Sequence, residues 1–141
     1  MSEEINMIKS SQIIQMLIET YPDFRKTLID SVEYWLPEKG PITPHSILMQ
    51  LDIAVVSNFV EGNYDNAEEL FNLIEHMIVE GEPNLSNAAK TCFLENLQNI
   101  ASSNESNFTG GHFVPLLGPK SKEFCISYDT MTGAKTKALY E

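Results

Sequence analysis

Apolar residues return at intervals of three and four along nearly the whole chain, and strict apolar–polar alternation is hard to find in any stretch of six residues or more. A chain written at a 3.6-residue period buries its apolar side chains on helix stripes and offers no face to a sheet. The expectation is therefore an all-α protein without a sheet: about six helices packed as α-hairpins, in an irregular bundle or a short solenoid. The 141 residues suit one helical domain over 1–141, because a single core serves a chain of this length. Residues 1–7 and 134–141 are candidates for fraying.

The spacing predicts a first helix over about 8–20, with Ile8, Ile14, Leu17 and Ile18 on one side. A second opens at Pro22 and runs to about Leu36, with Phe24, Leu28, Val32 and Trp35 on one stripe. Pro37, Gly40, Pro41 and Pro44 stiffen the connection over 37–43, and Thr43-Pro44 reads as N-cap and first helical residue of a third helix that ends near Glu61. Its apolar positions from Ile47 to Val60 cover nearly the whole circumference and leave Gln50, Ser57 and Glu61 as a polar strip, so it is predicted to be central.

The fourth helix, about 65–80, is divided cleanly. Ala67, Leu70, Phe71, Ile74, Met77 and Ile78 share one arc; Asp65, Glu68, Glu69, Asn72, His76 and Glu80 lie opposite, and Glu75 falls at the margin. A fifth helix, about 85–101, is predicted to turn Leu85, Cys92, Phe93, Leu97 and Ile100 inward. A polar loop over 102–111 follows, then the apolar piece Phe113–Leu117 and a last helix from Pro119 through Phe124, Cys125 and Tyr128.

The residue types that carry catalysis are poorly placed for it. His45, His76 and His112 form no His-x-x-x-His or Glu-x-x-His pair, so no metal site is assigned. The glycine-rich loops that cradle phosphates are missing, and no cofactor is expected. Cys92 and Cys125, 33 residues apart, read as buried thiols. Glu75 and Glu95 make an acid–base pair only if their helices pack together, and as solvated edge residues or caps they need no catalytic role. No catalytic residue is assigned, and the chain is not expected to be an enzyme.

Charge is more informative. Nine basic against twenty acidic residues give −11 at pH 7, which argues against binding nucleic acid or an anionic membrane. No apolar run approaches the roughly 20 residues of a membrane helix, and Met-Ser-Glu-Glu opens no secretion signal, so a cytoplasmic location is expected. The deficit is local: residues 61–82 hold seven acids and no lysine or arginine. Such a face keeps a protein in solution, or it meets a basic partner whose potential complements it. On the second reading the partner-binding residues are Glu61, Tyr64, Asp65, Glu68, Glu69, Asn72, Glu75, His76 and Glu80, with Tyr64 and Val79 as apolar contacts.

Three segments add a resemblance. Leu70-Phe71-Asn72-Leu73-Ile74-Glu75-His76 followed by Gly81-Glu82-Pro83, then Cys92-Phe93-Leu94-Glu95-Asn96-Leu97-Gln98-Asn99, then Leu117-Gly118-Pro119-Lys120-Ser121-Lys122-Glu123 together resemble small helical bacterial proteins encoded beside polymorphic or contact-dependent toxins. The match covers about residues 45–130. It implies an immunity protein that binds a cognate toxin and occludes its active site, and it carries over no individual toxin contacts. A helical adaptor that takes a peptide or helix in a groove, unconnected to any toxin, is the alternative.

Overall fold

The computed structural model describes residues 7–30, 42–103, 107–134, 136 and 138–140. Among these there is no strand, only an isolated parallel bridge between Ile8 and Gly81, so the fold is all-α as the spacing predicts. A 3₁₀ turn (Ser10–Gln12) leads into α1 (Ile13–Thr20), followed by α2 (Phe24–Asp30), α3 (Pro44–Val60) and α4 (Ala67–Glu80). Next, α5 (Pro83–Ala88) continues through a π-helical turn (Ala89–Leu94) into α6 (Glu95–Ala101). A short α7 (Gly110–Phe113), a 3₁₀ turn (Val114–Leu116) and α8 (Pro119–Thr132) complete the described chain. No helix among the described residues is long and apolar enough to cross a membrane.

Local chemistry sets the ends. Thr43 Oγ1 accepts from the Ser46 N–H at 3.2 Å while Ser46 Oγ accepts from the Thr43 N–H at 3.1 Å, a reciprocal cap with Pro44 in the first turn. Before α4, Asn63 Oδ1 accepts from the Asp65 N–H at 3.0 Å, and Asn66 takes the left-handed conformation that asparagine tolerates. The Ile8 N–H donates to Glu80 O and the Glu82 N–H to Ile8 O, both at 2.9 Å, which fastens the N-terminal segment to the α4–α5 junction.

Helix α3 packs against α2 and against the rod formed by α5, the π turn and α6, while α4 packs against α1, α5 and α8. Leu48, Leu51, Val55 and Phe59 of α3 meet Leu70, Phe71, Ile74 and Met77 of α4 and Leu85, Phe93, Leu94 and Leu97 of the rod in one continuous core. Phe71 joins Phe59 and Phe93 at ring separations of 6.1 and 5.6 Å, within the range where aromatic pairs attract.

The packing corrects several expectations. α3 is central, but its buried and exposed residues are not those its hydropathy selects: Gln50 and Asp52 are buried, whereas Met49, Ile53 and Val60 are exposed, with Val56 half-buried between them. α2 and the rod cover the rest of α3, and the arc holding Met49, Ile53, Val56 and Val60 is the one left most open. The inward set of the fifth helix also shifts. The π turn adds a residue, so Phe93, Leu94, Leu97 and Gln98 are buried while Cys92 and Ile100 are only half-buried. The polar 102–111 loop hides Phe108, which is fully buried and stacks on Phe113 at 5.6 Å. Near the C-terminal end, Thr136 and Leu139 are buried. Val32, Trp35 and most of the 37–43 connection lie outside the described residues, as do residues 1–6.

Candidate functional site

The outer face of α4 presents Glu68, Glu69, Asn72, His76, Val79 and Glu80, all exposed and within an arc of about 120° at 100° per residue, and Asp65 is exposed in the turn before them. Glu61 and Tyr64 lie exposed just ahead of them, with the Tyr64 ring resting on Phe59 at 4.6 Å. Among the described residues the one ion pair on this face is His76 Nδ1 to Glu80 Oε1, at 2.9 Å and exposed. Eight of the nine sequence-predicted contact residues therefore share one surface region with little internal neutralisation.

Glu75 is the ninth, and it turns elsewhere. Its Oε2 accepts from the Lys120 N–H at 2.8 Å, and its Oε1 accepts from the Ser121 N–H at 2.9 Å and the Ser121 hydroxyl at 2.8 Å. Burial alone raises this carboxyl, but these three donors and the Lys120 charge outweigh it and hold Glu75 below the usual glutamate value. Both oxygens are occupied in capping α8, so Glu75 belongs to the scaffold and is not open as a base beside Glu95. Gly118 permits the close approach, because a Cβ there would stand 2.6 Å from the carboxyl carbon.

Next to the α4 face is a cleft of about 550 Å³ between α2, α3 and the turn after α3. Asp23, Asp30 and Glu61 supply carboxylates, Lys26 one base, and Gln50, Ser57, Asn58 and Asn63 neutral polar groups, while Ile53 and Ala54 add apolar surface. Asp23 Oδ2 is fixed by the side-chain amides of Asn58 at 3.2 Å and Asn63 at 3.3 Å, and the Asn58 amide also donates to the Tyr21 hydroxyl at 2.8 Å. Burial pushes the Tyr21 hydroxyl up, Asn58 lowers it, and the carboxylates of Asp23 and Asp65 raise it further. Glu61, just ahead of α4, lines this cleft together with Asp23 and Asp30, which joins the cleft to the acidic run. Asp23 and Asp30 were missed by sequence reasoning because they lie 30 or more residues ahead of the acidic run.

Other titratable groups do not converge into reactive chemistry. Asp52 is buried with Oδ1 unpartnered, and burial pushes its carboxyl up to about 8. Burial and the nearby Asp129 push the Cys125 thiol up to about 12. Gln98 Nε2 donates to Cys125 O at 2.9 Å, Asp129 Oδ1 at 3.0 Å and Thr136 Oγ1 at 3.2 Å, a buried network that anchors the C-terminal end. Ile78 of α4, Lys90 of the π turn and Lys120, Glu123, Phe124 and Ser127 of α8 line a smaller hollow of about 240 Å³. No group of three His, Cys, Asp or Glu side chains among the described residues is placed to hold a metal ion.

No curated protein and no solved structure matches the chain. Residues 14–132 match the family model described as Domain of unknown function (DUF7674), a span from the start of α1 to the end of α8. The chain therefore belongs to the DUF7674 family.

Proposed function

We propose that this protein works by binding: the exposed carboxylates of α4, continued by Asp23 and Asp30 around the cleft, dock a basic protein surface. The observation that carries this reading is the undivided acidic face, with Glu61, Asp65, Glu68, Glu69 and Glu80 on one side of the molecule and only His76 paired to it among the described residues. Complementary potential of this kind accelerates encounter and fixes orientation, and Tyr64 and Val79 provide the apolar contacts that a charged rim lacks. The resemblance to immunity proteins specifies the partner as a cognate bacterial toxin. A toxin acting on nucleic acid has a basic substrate groove, and an acidic plug that closes it would protect the cytoplasm without any chemistry of its own.

The test is association kinetics with the product of the neighbouring gene. A specific complex should bury on the order of 1,200–2,000 Å². Glu68→Lys with Glu69→Lys should slow association about tenfold or more at low salt, with the difference fading as salt rises. Unchanged association would remove the α4 face from the interface. The exposed Met49, Ile53 and Val60 of α3, with half-buried Val56 between them, favour a second reading, an adaptor that pairs with a partner helix. On that reading the charge reversals are silent and Ile53→Asp abolishes binding.

A further inference from the structure

Helix α3 leaves an apolar seam uncovered beside the acidic cleft. Met49 is 50% exposed, Ile53 58% and Val60 41%, with half-buried Val56 between them, whereas Asp52, next to Ile53, is 4% exposed. The four apolar residues follow one another at intervals of four, three and four, which at 100° per residue confines them to an arc of about 60° along about three turns. A stripe this narrow and regular is the pattern by which one helix receives another, while a helix that only covers a core shows a wider apolar arc. We infer that the seam receives an amphipathic helix of a partner protein, with lysine or arginine along the edge of that helix that faces α2. The inference rests on the binding reading above and names the element that docks beside the α4 face.

Charge selects the occupant. On one side of the seam Ile53 opens on the cleft, where Asp23, Asp30 and Glu61 stand against Lys26 and leave two net negative charges. On the other side His45 meets Asn87 of α5 at 3.4 Å, and α5 carries no charged residue. A partner helix with cations along one edge suits both borders, and one edged with carboxylates is repelled by the cleft. A second copy of this chain fits less well. Two copies of α3 packed antiparallel about a two-fold axis bring like edges together, so cleft would face cleft and acid would face acid. Four side chains make a strip smaller than the roughly 800 Å² per partner of a standard interface. The helix is therefore one element of a larger docked surface, and by itself it binds weakly.

The probe is a peptide of about 18 residues, long enough to hold a helix, with leucine at alternating intervals of four and three, lysine along one flanking edge, and alanine and glutamine elsewhere. It is titrated into the full chain at physiological salt with the methyl resonances of Met49, Ile53, Val56 and Val60 followed by NMR. Saturable shifts at these methyls are expected, at least about tenfold weaker for a scrambled peptide of the same composition and for the counterpart with glutamate in place of lysine. Met49→Gln with Ile53→Gln, both exposed positions, should weaken the lysine peptide about tenfold or more and leave the thermal midpoint nearly unchanged. Asp30→Asn with Glu61→Gln, also exposed, should weaken it about threefold or more. No saturable shift, or equal binding of the scrambled or the glutamate peptide, overturns the inference. A fall of about 10 °C or more in the midpoint of the glutamine variant also overturns it, because the seam would then be covered within the chain. Sedimentation as a dimer that the glutamine variant abolishes does so too, because the occupant would then be a second copy. The titration needs no partner protein, so it fails or succeeds separately from the Glu68 and Glu69 reversals, which test the docking face itself.

Discussion

Replacing Asp52 by asparagine removes a proton that the fold obliges the chain to hold. Asp52 sits in the middle of α3, 4% exposed, and its burial pushes the carboxyl from 3.8 to about 8. The folded-state value is raised, so between about pH 4 and pH 8 the folded chain keeps a proton that the unfolded chain has released, and stability falls as pH rises. Each pH unit in that window costs about 1.4 kcal/mol, and the interval from 3.8 to about 8 corresponds to roughly 6 kcal/mol, comparable to the whole stability of many domains. Above about pH 8 the slope vanishes because both states are ionised. Urea unfolding of the native chain and Asp52→Asn at pH 5, 6, 7 and 8, with equal m-values, isolates this proton, since the other carboxylates cancel in the difference. The advantage of the variant should grow by about 2.7 kcal/mol from pH 5 to pH 7. The unpartnered amide that asparagine introduces lowers both ends of that comparison alike; Asp52→Leu, without it, should exceed the native chain in stability at pH 7. A difference independent of pH would mean that water or a counter-group reaches the carboxyl, and the argument from burial would be wrong.

Glu75→Ala should cost about 1–2 kcal/mol by uncapping α8, as read by thermal melting at pH 7. Because Glu75 is held below its usual value, its contribution is present above the unfolded value of 4.5 and is lost as pH falls through the folded one, so the gap between native and variant should close in acid. Gly118→Ala should destabilise through the same contact by about 1–3 kcal/mol, and Glu75→Ala should relieve that cost in the double variant. Asp129→Ala should cost about 2–3 kcal/mol, because it strips acceptors from buried Gln98 and Thr136. Amide hydrogen exchange at Thr136 and Leu139 should then rise ahead of the core, and continued protection there would show that the network does not hold the C-terminal end.

The parts of the fold governed by short-range rules were legible in advance. The Thr43-Pro44 start, the extent of α4 to about residue 80 and its two faces follow from caps and from spacing within one helix. What escaped reading depends on neighbours distant in sequence. Met49 and Ile53 are as apolar as Leu48 and Leu51, and only the placement of the surrounding helices decides which of them is left uncovered. Phe108 sits in a run of serine, asparagine and glycine whose composition says loop, yet its ring is core. Asp23 and Asp30 joined the acidic region only once α2 lay against α3. The opposite case is Glu75, where a place at the margin of the helical face was visible in the spacing but its engagement by Lys120 and Ser121, 45 and 46 residues away, was not.

The π turn at Ala89–Leu94 bears on how chain length can vary in this family. Up to its first residue the rod buries Leu85, Ala88 and Ala89; after it, Leu97 and Gln98. An uninterrupted α-helix continuing the first phase would instead point Cys92, Asn96 and Asn99 at the core. The surplus residue absorbs about 100° of rotation and restores the seam. A sibling sequence one residue shorter in this stretch could therefore close the turn into plain α-helix and leave every downstream side chain where it is, including the glutamine that grips the C-terminal end. The same deletion a few residues to either side would swing half the rod out of register, so single-residue length differences between relatives should collect at this turn.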